Sequence, residues 1–221
     1  MSVSVLNKQH PNRLFAIGCS YTSYKWRTYA DFLGEHFSSY HNLGTPGAGN
    51  VYIATTLTEA IQKFDMGPQD RVVLQWSNYA REDRYIQFKS KTHTYTDWQC
   101  SGSVHANDFF DQEFIDKYTT MEHFVKRDLA YIYMTHCTLR YLKIPFYALS
   151  VQSMKPCDHV ISKKLMELQI EYGDVIDEIN ESLKKSIWKD QWPTNGDTHP
   201  TETQHQSYLH SHLAHLIRNE F

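Results

Sequence analysis

Short apolar runs alternate with helix-like segments along the chain, and this alternation constrains the fold more than any other feature. Residues 14–17, 70–77 and 144–151 are apolar enough to be predicted as buried strands. Amphipathic patterns at helical spacing lie around them, at residues 24–37, 51–64, 122–142 and 162–188 and in a C-terminal segment. Strands that alternate with helices form a parallel sheet covered on both faces. The sequence therefore predicts an α/β chain, a flavodoxin-like three-layer α/β/α sandwich.

The remaining segments suggest how this sandwich is connected. A chain of 221 residues is long enough for one substantial core, so a single domain spanning 1–221 is expected. Residues 41–50 are turn-rich, and Asn50 is the expected N-cap of the helix that follows. Residues 79–120 are polar, aromatic and without a clean period, which predicts an insertion or lid, with a short hairpin around 92–98.

Composition excludes several classes of function. With 22 basic and 25 acidic residues the net charge is −3, so neither nucleic acid nor an anionic membrane is an expected partner. The sequence has no apolar run of 18 residues and no signal-peptide pattern at its start. Its four cysteines lack CxxC spacing, which favours reduced thiols and a cytoplasmic location. A virion-associated protein, or one released by another route, would show the same pattern.

The first predicted strand ends abruptly in Gly-Cys-Ser, within LFAIGCSYT. Ligands bind at the carboxyl ends of strands in sheets of this kind, so Ser20 is placed where a nucleophile is useful. A serine that opens a helix also gains from the positive helix end, and Gly18 permits a tight turn. Two alternatives remain: Ser20 acts only as a helix N-cap, or the neighbouring thiol of Cys19 is the nucleophile.

A serine nucleophile needs a base, a group that orients the base and donors for an oxyanion. His199 in GDTHPT is the candidate base, and Asp197 is the candidate orienting group, because residues i and i+2 of an extended loop point the same way. The candidate oxyanion donors are the Ser20 amide, the Gly47 amide and the Asn78 side chain, with Asn50 as a second possible side chain. As an alternative, Asp197 caps the final helix and His199 is a surface residue.

Four segments resemble, in order, the sequence blocks of the SGNH or GDSL hydrolases: GCSYT, NLGTPGAGN, VVLQWSN and DTHPTETQH. The resemblance spans roughly residues 14–205. It implies Ser20 as nucleophile, Asp197 and His199 as its triad partners, and Ser20, Gly47 and Asn78 around the oxyanion. It also implies a parallel α/β sandwich and ester hydrolysis.

The segments depart from the usual family pattern in three places. Cys19 stands where an Asp is usual, and Ser77 stands where a Gly is usual, with the Asn one residue early. The Asp–His gap is two residues rather than three, as in members that resemble phage-encoded or polysaccharide-active hydrolases.

Two further residues are candidates for substrate binding. Trp76 lies beside the proposed site and is expected to form a wall of the acyl or sugar pocket, unless it belongs to the core. Arg81 or Arg84 is expected to reach into the cleft and hold an anionic or sugar substrate, unless both lie on a solvated loop. The segment 79–120 is the expected source of specificity.

No metal ion or organic cofactor is expected. His212 and His215 are three residues apart, but no HExxH motif or cysteine partner accompanies them, which favours a solvated helix face. The glycines of residues 44–49 do not form a phosphate-binding loop, and no GK[ST] motif is present.

The sequence thus predicts a serine esterase that cleaves an acetyl or other short acyl ester through an acyl-enzyme. Its expected partner is an acylated small molecule or glycan, with a carbohydrate ester as the first choice. The alternatives are a thiol enzyme, an acyltransferase, and a non-catalytic carbohydrate-binding or virion-associated protein on the same scaffold.

Overall fold

A computed structural model of the chain describes residues 10–89, 93–106, 109–154, 167, 171–179, 183–187, 197 and 199–221. The first half holds β1 (His10–Ile17), α1 (Tyr29–Gly34), β2 (Phe37–Asn42), α2 (Asn50–Phe64), β3 (Arg71–Trp76), β4 (Arg81–Lys89) and β5 (Thr94–Ser103). The second half holds α3 (Gln112–Tyr118), α4 (Met121–Tyr141), β6 (Phe146–Ser150), α5 (Gly173–Asp177), α6 (Leu183–Ile187), α7 (Glu202–His212) and α8 (Ala214–Ile217).

Four strands form a parallel sheet in the order β2-β1-β3-β6. β1 lies inside the sheet, the chain then crosses to the edge at β2 and returns past β1 to β3 and β6, which is the flavodoxin-like order. The strands β1, β3 and β6 contain or fall within the three predicted apolar runs. The predicted parallel sheet is therefore confirmed, and the carboxyl ends of these three strands share one edge.

Side chains that alternate along the strands pack into two separate hydrophobic cores, one on each face of the sheet. On one face of the sheet, Phe15, Leu74 and Ala148 pack under α2 and α4. On the other face, Leu14, Val73 and Leu149 pack with residues of α1, α6, α7 and α8. Both faces of every central strand are buried, as expected for a parallel sheet covered by helices. The predicted three-layer α/β/α sandwich is confirmed.

The segment after β3 leaves this sheet and builds an antiparallel hairpin from β4 and β5. It falls within the predicted insertion at 79–120, but its strands are longer than the short hairpin predicted around 92–98. Most side chains of the hairpin are exposed or half-buried on both faces, so no clear polar–apolar alternation marks the strands in the sequence.

Two sequence-based predictions about the first third of the chain are wrong. The helix predicted over 24–37 is confined to α1, and residues 37–42 form β2 instead of helix and loop. β2 is an edge strand with mostly half-buried polar residues, so it lacks the apolar run of a central strand. Asn50 is the first residue of α2 rather than its cap, and Gly49 occupies the N-cap position.

The helical prediction for residues 162–188 is tested only in part, because most of that segment lies outside the described residues. Within it, α5 begins at Gly173, where a break is predicted, and α6 ends at Ile187. Within the described part of the chain, none of the helices has both the length and the apolar character that crossing a bilayer requires.

Candidate active site

Ser20 lies in a tight turn just beyond the carboxyl end of β1. The carbonyl oxygen of Cys19 accepts hydrogen bonds from the amides of Thr22 at 2.9 Å and Ser23 at 3.1 Å, which closes the turn. A Cβ atom on Gly18 would overlap the Thr22 hydroxyl and approach the adjacent strand, so the turn has room only for glycine. The strand and its turn therefore hold Ser20 at the edge of the sheet where ligands bind in such folds.

The turn does not open a helix, contrary to the sequence-based expectation for Ser20. Thr28 precedes α1, and its amide donates to the Asp31 carboxylate at 2.8 Å, so the helix starts at Tyr29. The amide of Ser20 therefore gains nothing from a helix terminus. The side chain of Cys19 is fully buried in the core of one sheet face, where a thiol packs as a small apolar group.

The structure brings Ser20, His199 and Asp197 into one chain of hydrogen bonds. His199 Nε2 lies 2.8 Å from Ser20 Oγ, and His199 Nδ1 lies 2.8 Å from Asp197 Oδ1. The same carboxylate oxygen accepts the backbone amide of His199 at 3.0 Å, so the two residues form a closed local turn. The side chains of His199 and Asp197 are each 24% exposed, which leaves the arrangement accessible from one side.

The charge of Asp197 decides how the imidazole is oriented. Hydrogen bonds from Lys25 and from His199 hold the pKa of this carboxyl well below its usual range, so it is ionised at neutral pH. An ionised carboxylate can only accept hydrogen bonds. Nδ1 of His199 therefore carries a proton and donates it in the hydrogen bond to Asp197. The lone pair on Nε2 is then free to accept the hydroxyl proton of Ser20, as a general base requires.

Three residues that follow Ser20 also contact His199, Asp197 or Pro200, and sequence reasoning did not identify them as functional. Tyr24 donates its hydroxyl to Asp197 Oδ2 at 3.1 Å, and its ring stacks on His199 with 4.1 Å between centroids. Lys25 Nζ lies 3.0 Å from Asp197 Oδ2. The Trp26 indole donates to the carbonyl oxygen of Pro200 at 2.8 Å. Their nearness to Ser20 in the sequence was the one available signal.

The loop between β2 and α2 lies against the Ser20 turn on one side and against the hairpin on the other. Thr45 donates its amide to the Gly18 carbonyl at 3.0 Å, and Gly102 donates its amide to the Gly47 carbonyl at 2.9 Å. Gly47 has a φ of +82°, and a Cβ atom there would overlap the carbonyl oxygen of Cys100. Both features require glycine at this position of the loop.

The two candidate amide side chains differ in their surroundings. Asn50 is fully buried and already committed, because its Nδ2 donates to Asp128 Oδ2 at 2.9 Å and to the Ser77 carbonyl at 3.2 Å. It therefore supports the end of β3 rather than facing a ligand. Asn78 follows that strand end, and its Oδ1 is buried without a hydrogen-bond partner in the described part of the chain.

The candidate substrate-binding residues are placed differently from one another. Trp76 is 0% exposed, and its indole donates to His136 Nε2 at 3.2 Å, so it belongs to the core and not to a pocket wall. Arg81 Nη1 donates to the carbonyl oxygen of Ala48 at 2.8 Å, which puts the guanidinium beside the loop that carries Gly47. Arg84 instead lies over aromatic rings that follow the hairpin.

Among the described residues, no group of three or more histidine, cysteine, aspartate or glutamate side chains is arranged to hold a metal ion. His212 stacks on Tyr208 with 5.1 Å between centroids, and His215 contacts the ring of Tyr147 at 5.0 Å. These two histidines therefore pack against aromatic neighbours.

The chain resembles known proteins in its three-dimensional structure. No protein-family model matches the sequence, and no curated protein matches it significantly. The fold is similar to that of an alpha/beta hydrolase enzyme from the metagenome of Lake Arreo, Spain, with a TM-score of 0.52 and 12% identity over 94% of this chain and 96% of that one.

Two other solved structures share the architecture. A GDSL-like lipase from Bacteroides thetaiotaomicron gives a TM-score of 0.51 and 13% identity over 95% of this chain and 89% of that one. A variant of an acetyl xylan esterase from Geobacillus stearothermophilus gives a TM-score of 0.51 and 11% identity over 98% and 99%. The chain therefore has the fold of the SGNH or GDSL hydrolases, and the resemblance stated from the sequence is confirmed at the level of the fold.

Proposed function

We propose that the chain is a serine ester hydrolase in which His199 activates Ser20 for attack on an acyl ester. The observation that carries this proposal is the imidazole of His199, which bridges Ser20 Oγ and Asp197 Oδ1 at 2.8 Å on each side. A nucleophile, a base and an orienting carboxylate in direct contact are what covalent acyl transfer requires of side chains.

The reaction follows from this geometry in two halves. Ser20 Oγ attacks the ester carbonyl carbon while its proton passes to His199 Nε2, and Asp197 stabilises the imidazolium that forms. The tetrahedral intermediate collapses to an acyl-enzyme, and His199 returns the proton to the leaving alcohol. A water molecule then gives its proton to His199, attacks the acyl carbon and releases the free acid, and the proton returns to Ser20.

The oxyanion needs hydrogen-bond donors beside the Ser20 turn. We assign this role to the amides of Ser20 and Gly47 and to the side chain of Asn78. Within the described residues, neither amide donates to another backbone carbonyl, so each remains available to a ligand. Donors of this kind each contribute about 3 kcal/mol to stabilising a transition state.

The substrate we infer is a short acyl ester on a carbohydrate. The hairpin that contacts the Gly47 loop carries Trp98, whose ring meets those of Tyr52 at 5.6 Å and Tyr85 at 5.5 Å. Tyr85 is 62% exposed, so this aromatic group is accessible on the hairpin that contacts the Gly47 loop. Aromatic faces next to polar groups suit sugar rings. The acetyl xylan esterase with a similar fold supports the same choice of substrate.

The proposed chemistry is tested with p-nitrophenyl acetate and a fluorophosphonate probe. Ser20→Ala should lower kcat by about a thousandfold or more and abolish labelling, because it removes the nucleophile itself. Ser23→Ala, in the same turn, is the matched control and should retain activity. Activity that survives Ser20→Ala but disappears in Cys19→Ala would instead indicate a thiol enzyme. An unlabelled, inactive but folded protein would contradict the proposal.

The proposed carbohydrate leaving group is tested separately. Trp98→Ala should raise KM for an acetylated xylo-oligosaccharide and leave KM for p-nitrophenyl acetate unchanged, because only the sugar reaches the hairpin. Tyr141→Ala replaces an aromatic residue that is 85% exposed on α4 and serves as control. Equal effects of Trp98→Ala on both esters would contradict the sugar contact but not the esterase chemistry. Faster acyl transfer to an added sugar than to water would identify a transferase.

A further inference from the structure

The two oxygens of the Asp197 carboxylate share the Tyr24 hydroxyl, which lies 3.4 Å from Oδ1 and closer to Oδ2, and otherwise have different partners. Oδ1 accepts from Nδ1 and from the backbone amide of His199. Oδ2 accepts from the Tyr24 hydroxyl at 3.1 Å and from Lys25 Nζ at 3.0 Å. Rotation of the carboxylate would break bonds at both oxygens at once. The side of Asp197 that faces away from the imidazole is therefore held by residues of the Ser20 segment.

Tyr24 also restrains the imidazole ring directly. Its ring lies on the face of His199 with 4.1 Å between centroids and 18° between planes, which is a stacked contact. Trp26 packs edge-on against the Tyr24 ring, with 4.7 Å between the two ring centroids. Because Trp26 also binds the Pro200 carbonyl, the stack is anchored to the loop that carries His199.

Lys25 adds a charge to the same contact. Its ammonium lies 4.8 Å from the centre of the Trp26 ring and 5.3 Å from that of Tyr24, and it meets Asp197 at the end of a side chain that is 63% exposed. An ion pair with this exposure contributes little to folding. Its hydrogen bond is nevertheless the largest of the influences that lower the pKa of Asp197, the carboxylate in contact with His199.

We propose that Tyr24 and Lys25 are positioning residues, which hold the outer carboxylate oxygen of Asp197 and one face of the His199 ring so that Nε2 stays directed at Ser20. This inference rests on the proposed esterase function and deepens it. Neither residue supplies a reacting atom. Their contribution is to restrict the motion of the base and, through Lys25, to place a cation 3.0 Å from the carboxylate that faces the imidazole.

The expected pH effect depends on every group that faces His199. Among the described residues these are Ser20, the ring of Tyr21 at 5.5 Å, Tyr24, Lys25 through Asp197, Asp197 itself, and His205 on α7. Burial lowers the pKa of His205 to about 4, so His205 is neutral at neutral pH and adds no charge beside His199. Lys25 is the cation in the group, and it weakens the attraction of Asp197 for a protonated imidazole.

The positioning effect of Tyr24 is measured by steady-state kinetics of two substitutions. Tyr24→Phe keeps the stack and loses the hydrogen bond, whereas Tyr24→Leu loses both. We expect kcat to fall about threefold in the first and about tenfold or more in the second, with KM unchanged in each, because the base is misplaced and the substrate is not. Tyr141→Leu on α4 is the matched control. Parental kcat in Tyr24→Leu would overturn this role.

The charge effect of Lys25 is measured with Lys25→Met, which keeps the aliphatic stem. The acid limb of the kcat/KM profile and the midpoint of the His199 ring-proton NMR titration should both move up by roughly half a pH unit, as expected for one screened charge. Lys117→Met is the control, because Lys117 also lies over a tyrosine ring, at 5.1 Å, but pairs with no triad member. An unchanged titration midpoint in Lys25→Met would overturn the role of Lys25.

The NMR titration also separates this inference from the proposed function. It uses the full chain without substrate, so it reports the contact between Lys25, Asp197 and His199 even if Ser20→Ala shows that the chain is not a serine esterase. A shifted titration in Lys25→Met without esterase activity would support the contact and contradict the proposed function. An unchanged titration midpoint in Lys25→Met, in a chain that is an active esterase, would contradict the role of Lys25 and leave the proposed function standing.

Discussion

The buried amide of Asn50 offers a sharp test of the packing behind the site, because Asn50→Asp changes charge and almost no volume. Asn50 Nδ2 donates to Asp128 Oδ2 at 2.9 Å and to the Ser77 carbonyl at 3.2 Å, and Oδ1 accepts the Ser77 amide at 2.8 Å. Asn50 and Asp128 are both 0% exposed. In the variant, a carboxylate oxygen would face Asp128 where the donor stood.

The loss of folding stability expected in Asn50→Asp follows from the titration of Asp128. Burial raises the pKa of Asp128 to about 6, so the Asp128 carboxyl of the folded parent is deprotonated above pH 6. Two adjoining buried carboxylates cannot both ionise, so the folded variant keeps a shared proton above pH 6 that the unfolded chain has released. Its stability relative to the parent therefore falls by about 1.4 kcal/mol for each pH unit above 6. Between pH 6 and pH 8 the additional loss is about 3 kcal/mol.

Urea unfolding at pH 6, 7 and 8 measures this loss, with the midpoint and slope recorded for the parent and the variant. Gln112→Glu is the matched control, since Gln112 Nε2 donates to Asp116 Oδ1 at 2.6 Å in an exposed position. The control should change stability by less than about 0.5 kcal/mol at each pH. A penalty for Asn50→Asp that is the same at all three pH values would refute the shared-proton reasoning.

Two further substitutions test the loop and the core beside the site. Gly47→Ala should cost about 2 kcal/mol or more in urea unfolding, because φ is +82° and a Cβ atom would overlap Cys100, whereas Gly67→Ala meets no neighbouring atom and should be tolerated. Trp76→Phe should cost about 1–3 kcal/mol, because it leaves buried His136 without its donor, and should not change KM. A raised KM with unchanged stability in Trp76→Phe would instead place Trp76 in the substrate pocket.

Local sequence patterns predicted the strands of the sheet well, with one informative exception. β1, β3 and β6 are recognisable because both of their faces are buried, which demands continuous apolar residues. β2 lies at the edge of the sheet, and its residues after Phe37 are polar or only half-buried. A strand with that composition is stabilised by pairing with β1. Because its partner is 20 to 30 residues away in the chain, no pattern within β2 itself identifies it as a strand.

The candidate residues of the site likewise include some that local sequence patterns singled out and one whose position they left open. Ser20 was selected from the sequence because it follows a strand, and His199 and Asp197 because their spacing suits an extended loop. Trp76 was a candidate for the pocket wall because it lies beside the proposed site, with the core as the alternative, and it is fully buried. Strand residues alternate between the two faces, but in a sheet covered on both sides neither direction leads to solvent.

Motifs within a few residues of one another were enough to identify the parallel α/β sandwich and to single out Ser20, Asp197 and His199, because hydrophobic period and turn chemistry are local properties of the chain. The contacts of Tyr24 and Lys25 with Asp197 join residues separated by 173 and 172 positions. The contact of Asn50 with Asp128 spans 78 positions. Such contacts depend on which helices and loops meet at the sheet edge, and that meeting is settled only when the two cores pack.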